Sequence, residues 1–337
     1  MRKTLSWVCV GLLFLFFVSP SRAQQPGDEV PGPPDSDTLG SDSTATNPVN
    51  VNAVAILRWY PANRTTTFAV GVAPSGVAFD GANLWVTDPS GDEVIQLRAS
   101  DGKVLRTVFV PDDPDAVAFD GANIWTTSDQ TNLVTKVRAS DGKVLGTFSV
   151  GGSTPVGLAF DGANIWVSNF QSNNVGKLRA TDGKLLGRFK VGSGPTGVAF
   201  DGLNMWVGNS GSNNVTKLRA SDGKALGTFS VGTAPTGLAF DGANMWIANG
   251  GSNNVTKLRA SDGEVLGTFP VGTNPAGVAF DGASIWVGNI GSNNVTKLRA
   301  SDGTVLGTFP VGFFPLGVAF DGANIWVALH GGAVSKL

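Results

Sequence analysis

The sequence predicts an all-β protein, a seven-bladed β-propeller of four-stranded antiparallel blades, and three observations carry that expectation. The heptapeptide FDGANIW, or a near copy, starts at Phe79, Phe119, Phe160, Phe200, Phe240, Phe280 and Phe320. The starts lie 40 or 41 residues apart, the period of a unit that cannot bury its apolar face alone and must stack on its neighbours. Inside each period four short apolar runs alternate with Gly, Asn and Asp turns, and no stretch shows helical periodicity.

The unit from Pro195 to Val231 shows the four strands in order. Gly197–Phe200 ends at Asp201-Gly202, and Asn204–Gly208 ends at the cluster Asn209 to Asn213. Val215–Arg219 ends at Ser221-Asp222-Gly223, and Ala225–Val231 ends at Gly232. Asp accepts bonds from nearby amides in such turns, while the following Gly takes the left-handed conformation. The repeated aspartates therefore read as scaffold. Trp85, Trp125, Trp166, Trp206, Trp246, Trp286 and Trp326 recur on the second strand. Phe68, Phe109, Phe148, Phe189, Phe229, Phe269 and Phe309 are assigned to the fourth. Each ring buries roughly 150–250 Å², a gross gain of about 4–6 kcal/mol before entropy is subtracted. Aromatics in register on every unit read as core between stacked sheets; a stacking platform for sugars or bases is the sharper alternative.

Both ends of the chain share the last blade. Leu57–Gly71 aligns without gaps to Leu218–Gly232, so the N-terminal part supplies a fourth strand with no first strand before it. The C-terminal residues Val334–Leu337 fall inside a third strand. Overlap of this kind removes the free edges of an open array. Third strands then number eight, because Val54–Arg58 also fits the pattern, and the sequence leaves open which of the two is displaced.

Three segments are expected: a signal peptide over 1–23, an acidic Pro/Gly/Ser linker over 24–52, and the propeller over 53–337. Arg2 and Lys3 precede an apolar run from Leu5 to Val18, and Ser21-Arg22-Ala23 supplies a small-x-small cleavage pattern. The protein is thus expected to be secreted or periplasmic, without a membrane span. Residues 24–52 hold too few apolar side chains to offset ordering entropy. Cleavage would remove Cys9, leaving no disulfide and no thiolate metal site. It would also leave 21 basic against 26 acidic groups, a balance with no bulk attraction for nucleic acid. A monomer is expected.

The stretch WVGNSGSNNVTKLRASDGKALGTFSVGTAPTGLAF resembles the YVTN family of propeller repeats. There a short strand ending in Thr-Asn leads through Ser-Asn to a Val-rich strand, then to Pro-Val-Gly and Pro-x-Gly-Val-Ala. The likeness recurs through 53–337 and implies the propeller fold shared by proteins similar to the YncE group and the streptogramin lyases. For the lyases it implies His and Glu on one face with a bound Mg²⁺. Alternating strand direction puts the inter-unit loops and the loops after Trp on one face, with the FDG and ASDG turns on the other. On the first face the residue after Pro is Ser75, Asp115, Val156, Thr196, Thr236, Ala276 and Leu316, with no His. Three residues after Trp stand Asp88, Ser128, Asn169, Asn209, Asn249, Asn289 and Leu329, with no Glu.

This composition points to a ligand-binding or protein-interaction scaffold, with a lyase-like or metal-dependent lactonase-like enzyme as the alternative. No catalytic residue is assigned. The candidate ligand-binding residues are Asp88, Asp115, Asn169, Asn209, Asn249, Asn289, Phe313, Phe314 and His330. His330 reads as a solvated loop residue or as a general base at the mouth of the ring. His330 beside a convergent carboxylate would favour the enzyme. Asp88, Asp92, Glu93, Asp112, Asp113, Asp115 and Asp129 form an acidic sector open to two readings, a Ca²⁺ or Mg²⁺ site and a solvated surface. Phe313, Phe314, Leu316 and Leu329 make an apolar sector next to it once the ring closes. The partner is a protein, glycan or small molecule. The Asn-Val-Thr triplets at Asn214, Asn254 and Asn294 read as turn residues of the repeat.

Overall fold

The computed structural model describes residues 65–111 and 113–337. Among them seven four-stranded antiparallel sheets form, with a single 3-10 turn at Pro89–Gly91. Six blades take their strands consecutively, beginning at Val77, Pro114, Pro155, Pro195, Pro235 and Pro275, and are numbered 1 to 6 here. Blade 4 is representative, with strands Pro195–Phe200, Asn204–Asn209, Asn214–Arg219 and Ala225–Ser230. Its first turn forms because Asp201 Oδ1 accepts the amides of Leu203 (2.9 Å) and Asn204 (2.6 Å). Gly202 follows at φ 96°, where an added Cβ would meet nothing, so conformation alone demands glycine. Gly197 answers a different need: its Cβ would collide with the Thr236 carbonyl, where the first strands of adjacent blades run close together.

The core lies between consecutive blades. Trp206 and Val215 of blade 4 pack on Met245, Ile247 and Leu258 of blade 5, and the same cluster recurs around the ring. Trp206 is 0 % exposed, and its Nε1 donates to Asp201 Oδ2 at 2.8 Å. All seven indoles make this bond to the aspartate of their own FDG turn. One carboxylate thus fixes both the turn and the core side chain behind it. Burial pushes the Asp201 carboxyl up, but the Trp206 indole and the Leu203 and Asn204 groups outweigh it and hold it below the usual carboxylate range.

One aromatic assignment is corrected. Six Trp rings pair with a fourth-strand Phe at 5.4–5.6 Å between centroids, but Trp85 is not among them. In blade 1 the residue opposite Val94 is Val108, as Phe229 is opposite Val215 in blade 4. Phe109 is therefore one residue out of register and 70 % exposed.

Closure follows the expected overlap. The last blade, numbered 7, runs Pro315–Phe320, Ile325–Leu329, Ala333–Lys336, with Thr66–Ala69 as its outer strand. Phe68 opposes Val334 and packs at 5.6 Å from Trp326, so the N-terminal strand completes the aromatic pair of the last blade. The third-strand place goes to Ala333–Lys336. Val54–Arg58 lies outside the described residues, as do 1–23, 24–52 and Asp112. No helix among the described residues is long and apolar enough to cross a membrane.

A lysine column on the third strand staples the lower rim, the side of the FDG and ASDG turns. Lys217 lies 5.0 Å from the Trp206 ring centroid and donates to the carbonyls of Ala260 (2.6 Å) and Ser261 (3.2 Å) in the next blade. Lys136, Lys177, Lys257 and Lys336 repeat it. Each ammonium gives charge-assisted bonds to the next blade, buried in all but the half-buried Lys336, so these contacts bind blade to blade rather than decorate a surface.

Candidate functional site

The upper face collects the inter-blade connections and the loops after Trp, as strand alternation requires. The four connections between blades 2 and 6 are held from both sides. Between blades 3 and 4, Gly194 N donates to Asn173 Oδ1 (2.8 Å) and Ser193 N donates to Ser212 Oγ (3.1 Å). Asn173 reaches it from a left-handed position, φ 52°. Asn169, Asn209, Asn249 and Asn289 lie beneath these loops, each fully buried. Asn209 Nδ2 donates to Asn214 Oδ1 and Thr216 Oγ1, both at 2.9 Å. Their place is thus inside the turn, below the surface a ligand would meet.

Asp88 takes the corresponding place in blade 1 and does a different job. It is 0 % exposed, and its carboxylate accepts the amides of Val72 (2.6 Å) and Ala73 (3.0 Å). Elsewhere an Asn of the preceding blade, or Asp92 in blade 1, takes one of those amides, but in blade 7 that position is Gly332, at φ 85°. Asp88 supplies the acceptor that Gly332 lacks, so the closing connection is latched from one side only.

The acidic groups that do converge are Asp113, Asp115 and Asp129, between blades 1 and 2. Asp115 accepts a hydrogen bond from Ser75 Oγ of blade 1. Burial pushes its carboxyl up, opposed by that bond and by His330, which lies within electrostatic reach from blade 7. Asp129 is pushed up to about 6, by burial first and then by Asp113 and Asp115. Its Oδ1 is buried with no hydrogen-bond partner. Glu93 is also raised, by burial and by Asp88. Among the described residues no group of three His, Cys, Asp or Glu is arranged to hold a metal ion.

The apolar sector adjoins these carboxylates. Phe313 and Phe314 are 69 % and 48 % exposed, and Val72, which the sequence did not single out, is 66 % exposed. Phe313 packs near Gly331, and the Val72 backbone near Gly332, so all three ring the blade 7 loop that carries His330. His330 N donates to Phe314 O at 3.1 Å, which fixes the loop while its side chain faces solvent. Leu329 is buried in the core and Leu316 is half-buried on the first strand. The site reading thus gathers Asp115, Phe313, Phe314 and His330, and adds Ser75, Val72 and Asp129. Asp129 was already part of the acidic sector read from the sequence, while Ser75 and Val72 stand in columns that vary from blade to blade and so gave no signal.

Asp129 yields a pH signature. Its folded value lies above the ordinary 3.8, so ionisation costs the folded state, and the cost is full above about pH 6. Discounted for partial exposure, Asp129→Asn is expected to stabilise the chain at pH 7 by about 1 kcal/mol, or about 2 °C. At pH 5 about half of the gain should remain, because the unfolded carboxyl is still ionised there, and it should vanish only below about pH 3.8. Melting curves at the two pH values check it, and an equal effect at both would contradict the assignment.

No family model matches the chain, and no curated protein matches it. Solved structures do. A streptogramin B lyase structure superposes with TM-score 0.70 at 19% identity, covering 81% of this chain and 97% of that one. A catalytically inactive histidine-to-alanine virginiamycin B lyase from Staphylococcus aureus, solved with quinupristin, gives 0.70 at 20%, covering 81% and 99%. Hydrazine synthase of Kuenenia stuttgartiensis gives 0.71 at 20%, covering 79% and 95%. At such identity the likeness establishes the fold, a seven-bladed propeller with streptogramin lyase-like neighbours.

Proposed function

We propose that this chain is an exported binding module of the YVTN repeat type, whose ligand surface is the upper face around blades 7, 1 and 2. The carrying observation is the juxtaposition there of Phe313, Phe314 and Val72 with Asp115 and Asp129. Of the other connections only the closing one has an apolar residue, Val72, where Phe313 stands, and none has a ring at either position. Exposed rings beside carboxylates suit a ligand that joins an apolar group to a cationic one. In this reading residues 1–23 are removed on export, 24–52 space the propeller from the cleavage site, and the mature chain acts as a monomer without nucleic acid. Calorimetry with short peptides pairing Leu or Phe with Arg, against the same peptides with Glu, tests it. The Arg peptides should bind, and Phe313→Ser/Phe314→Ser or Asp115→Asn should weaken them by about tenfold. Equal binding of Arg and Glu peptides, or a double variant that binds like the wild type, would overturn the reading.

A second reading, a lyase-type enzyme, is supported by His330 lying within reach of Asp115 next to a carboxyl that titrates near 6. It expects turnover of quinupristin that His330→Ala abolishes and Phe313→Ser leaves measurable. Chromatography of the incubated compound decides it.

A further inference from the structure

On the opposite face, the junction between blades 1 and 2 departs from its sisters. Gln96 stands where Lys136, Lys177, Lys217, Lys257, Lys297 and Lys336 stand in the other blades. At five junctions the lysine ammonium sits between two carbonyls of the next blade, as Lys177 does on Ala220 O (2.6 Å) and Ser221 O (3.4 Å). The equivalent carbonyls here belong to Ala139 and Ser140. Arg106, where the other fourth strands have Gly or, in the last blade, Thr66, reaches only one of them, with Nη2 donating to Ser140 O at 3.3 Å. A cleft of about 580 Å³ opens at this place, lined by Asp80, Gln96, Arg106, Ala139 and Ser140. Gln96 is 3 % exposed, its Oε1 is buried with no partner, and its Nε2 is 3.5 Å from Asp80 Oδ2.

We propose that this cleft binds a primary alkylammonium group, seated on the Ala139 and Ser140 carbonyls with Gln96 Oε1 and the Asp80 carboxylate. Five copies of the same carbonyl pair hold a primary ammonium, and the sixth keeps the acceptors while the side chain that would fill them is a neutral amide. Gln96 Nε2 is turned to Asp80, which leaves Gln96 Oε1 and the two carbonyls as acceptors that a group with several N–H donors satisfies. Ca²⁺ would need more oxygens converging on one point. The cationic walls are already engaged: Arg138 is paired with Asp141 (2.8 Å) and Arg106 with Ser140 O, so the local charge of Asp80, Arg106, Arg138 and Asp141 sums to zero. Leu105, on the cleft wall and 38 % exposed, gives an alkyl stem something to lie against. The site shares no residue with the upper face.

The test is calorimetric titration of the chain with n-butylammonium, butyltrimethylammonium and hexanoate. The primary amine should bind, and the trimethyl analogue, lacking N–H donors, should bind at least about tenfold more weakly. Hexanoate should not bind. Gln96→Lys places a tethered ammonium in the seat. It should keep or raise the melting temperature and weaken the amine by at least about tenfold. Arg106→Ala removes a competitor and should bind the amine no less tightly than wild type, and Asp115→Asn should change nothing. An arm with 1,5-diaminopentane against acetyl-Gly-Lys-Gly-amide tells which carrier is preferred, a free diamine or a lysine side chain; tighter binding of either supports the site. Saturable hexanoate binding lost in Arg106→Ala would make this an anion site and overturn the proposal. Undiminished amine binding by Gln96→Lys, or no amine binding up to about 10 mM, would overturn it as well.

Discussion

Trp206→Ala is expected to cost about 4 kcal/mol, lowering the melting temperature by about 10 °C. The indole is 0 % exposed and wedged between Phe229 of its own blade and Met245, Ile247 and Leu258 of the next. Its loss leaves a cavity across a blade interface, removes the surface beneath the Lys217 ammonium and leaves Asp201 Oδ2 with Asn204 Nδ2 as its remaining donor. Trp206→Phe separates these contributions, keeping an aromatic ring but no indole donor. Asp201 has a folded value below its unfolded one, so the stability it supplies is present above the unfolded value and lost as pH falls through the folded one. The deficit of Trp206→Phe should therefore be largest at neutral pH and shrink in acid. Denaturant curves at several pH values read both effects; a deficit in Trp206→Ala under about 1 kcal/mol would remove the tryptophan column from the core.

Removing residues 1–70 is expected to prevent folding of a stable monomer, a loss of more than about 5 kcal/mol, comparable to the whole stability of many domains. Thr66–Ala69 is the outer strand of blade 7, and without it Val334 and Trp326 lose Phe68, while Ala333–Lys336 becomes an open edge. The neighbouring latch goes too, since Val70 N donates to Gly332 O at 3.0 Å. Circular dichroism and gel filtration of the truncated chain should show broad melting and association. A cooperative monomer melting within about 5 °C of the full chain would refute the closure argument.

The upper face divides its unusual residues into two kinds. Asp88 is unusual because Gly332 is: a side chain missing on one blade is replaced by a carboxylate on the next, and the pair closes the ring. Phe313 and Phe314 make no such compensation, and Asp115, which takes Ser75 Oγ, and Asp129 lie beside them. The two rings depart from the polar or small residues of most other connections without mending anything, which is why the proposed ligand surface is centred on them. The lower rim follows the same logic, where Gln96 breaks the lysine column and Arg106 mends half of it.

Blade number, strand order, the sharing of the last blade and the division of loops between two faces all followed from the sequence. A fixed period with alternating strands and turn residues leaves few other packings. Phe109 shows the limit of reading by residue type. One residue of offset moves a side chain from core to solvent in a strand, and only the pairing of Val94 with Val108 shows the offset. The choice of Ala333–Lys336 over Val54–Arg58 for the third strand of blade 7 was also beyond the sequence, because both segments fit one pattern. The roles of Asp88, Ser75 and the lysine staples were decided by the tertiary structure alone. Each depends on contacts between adjacent blades, and those contacts exist only once the sheets are stacked around a common axis.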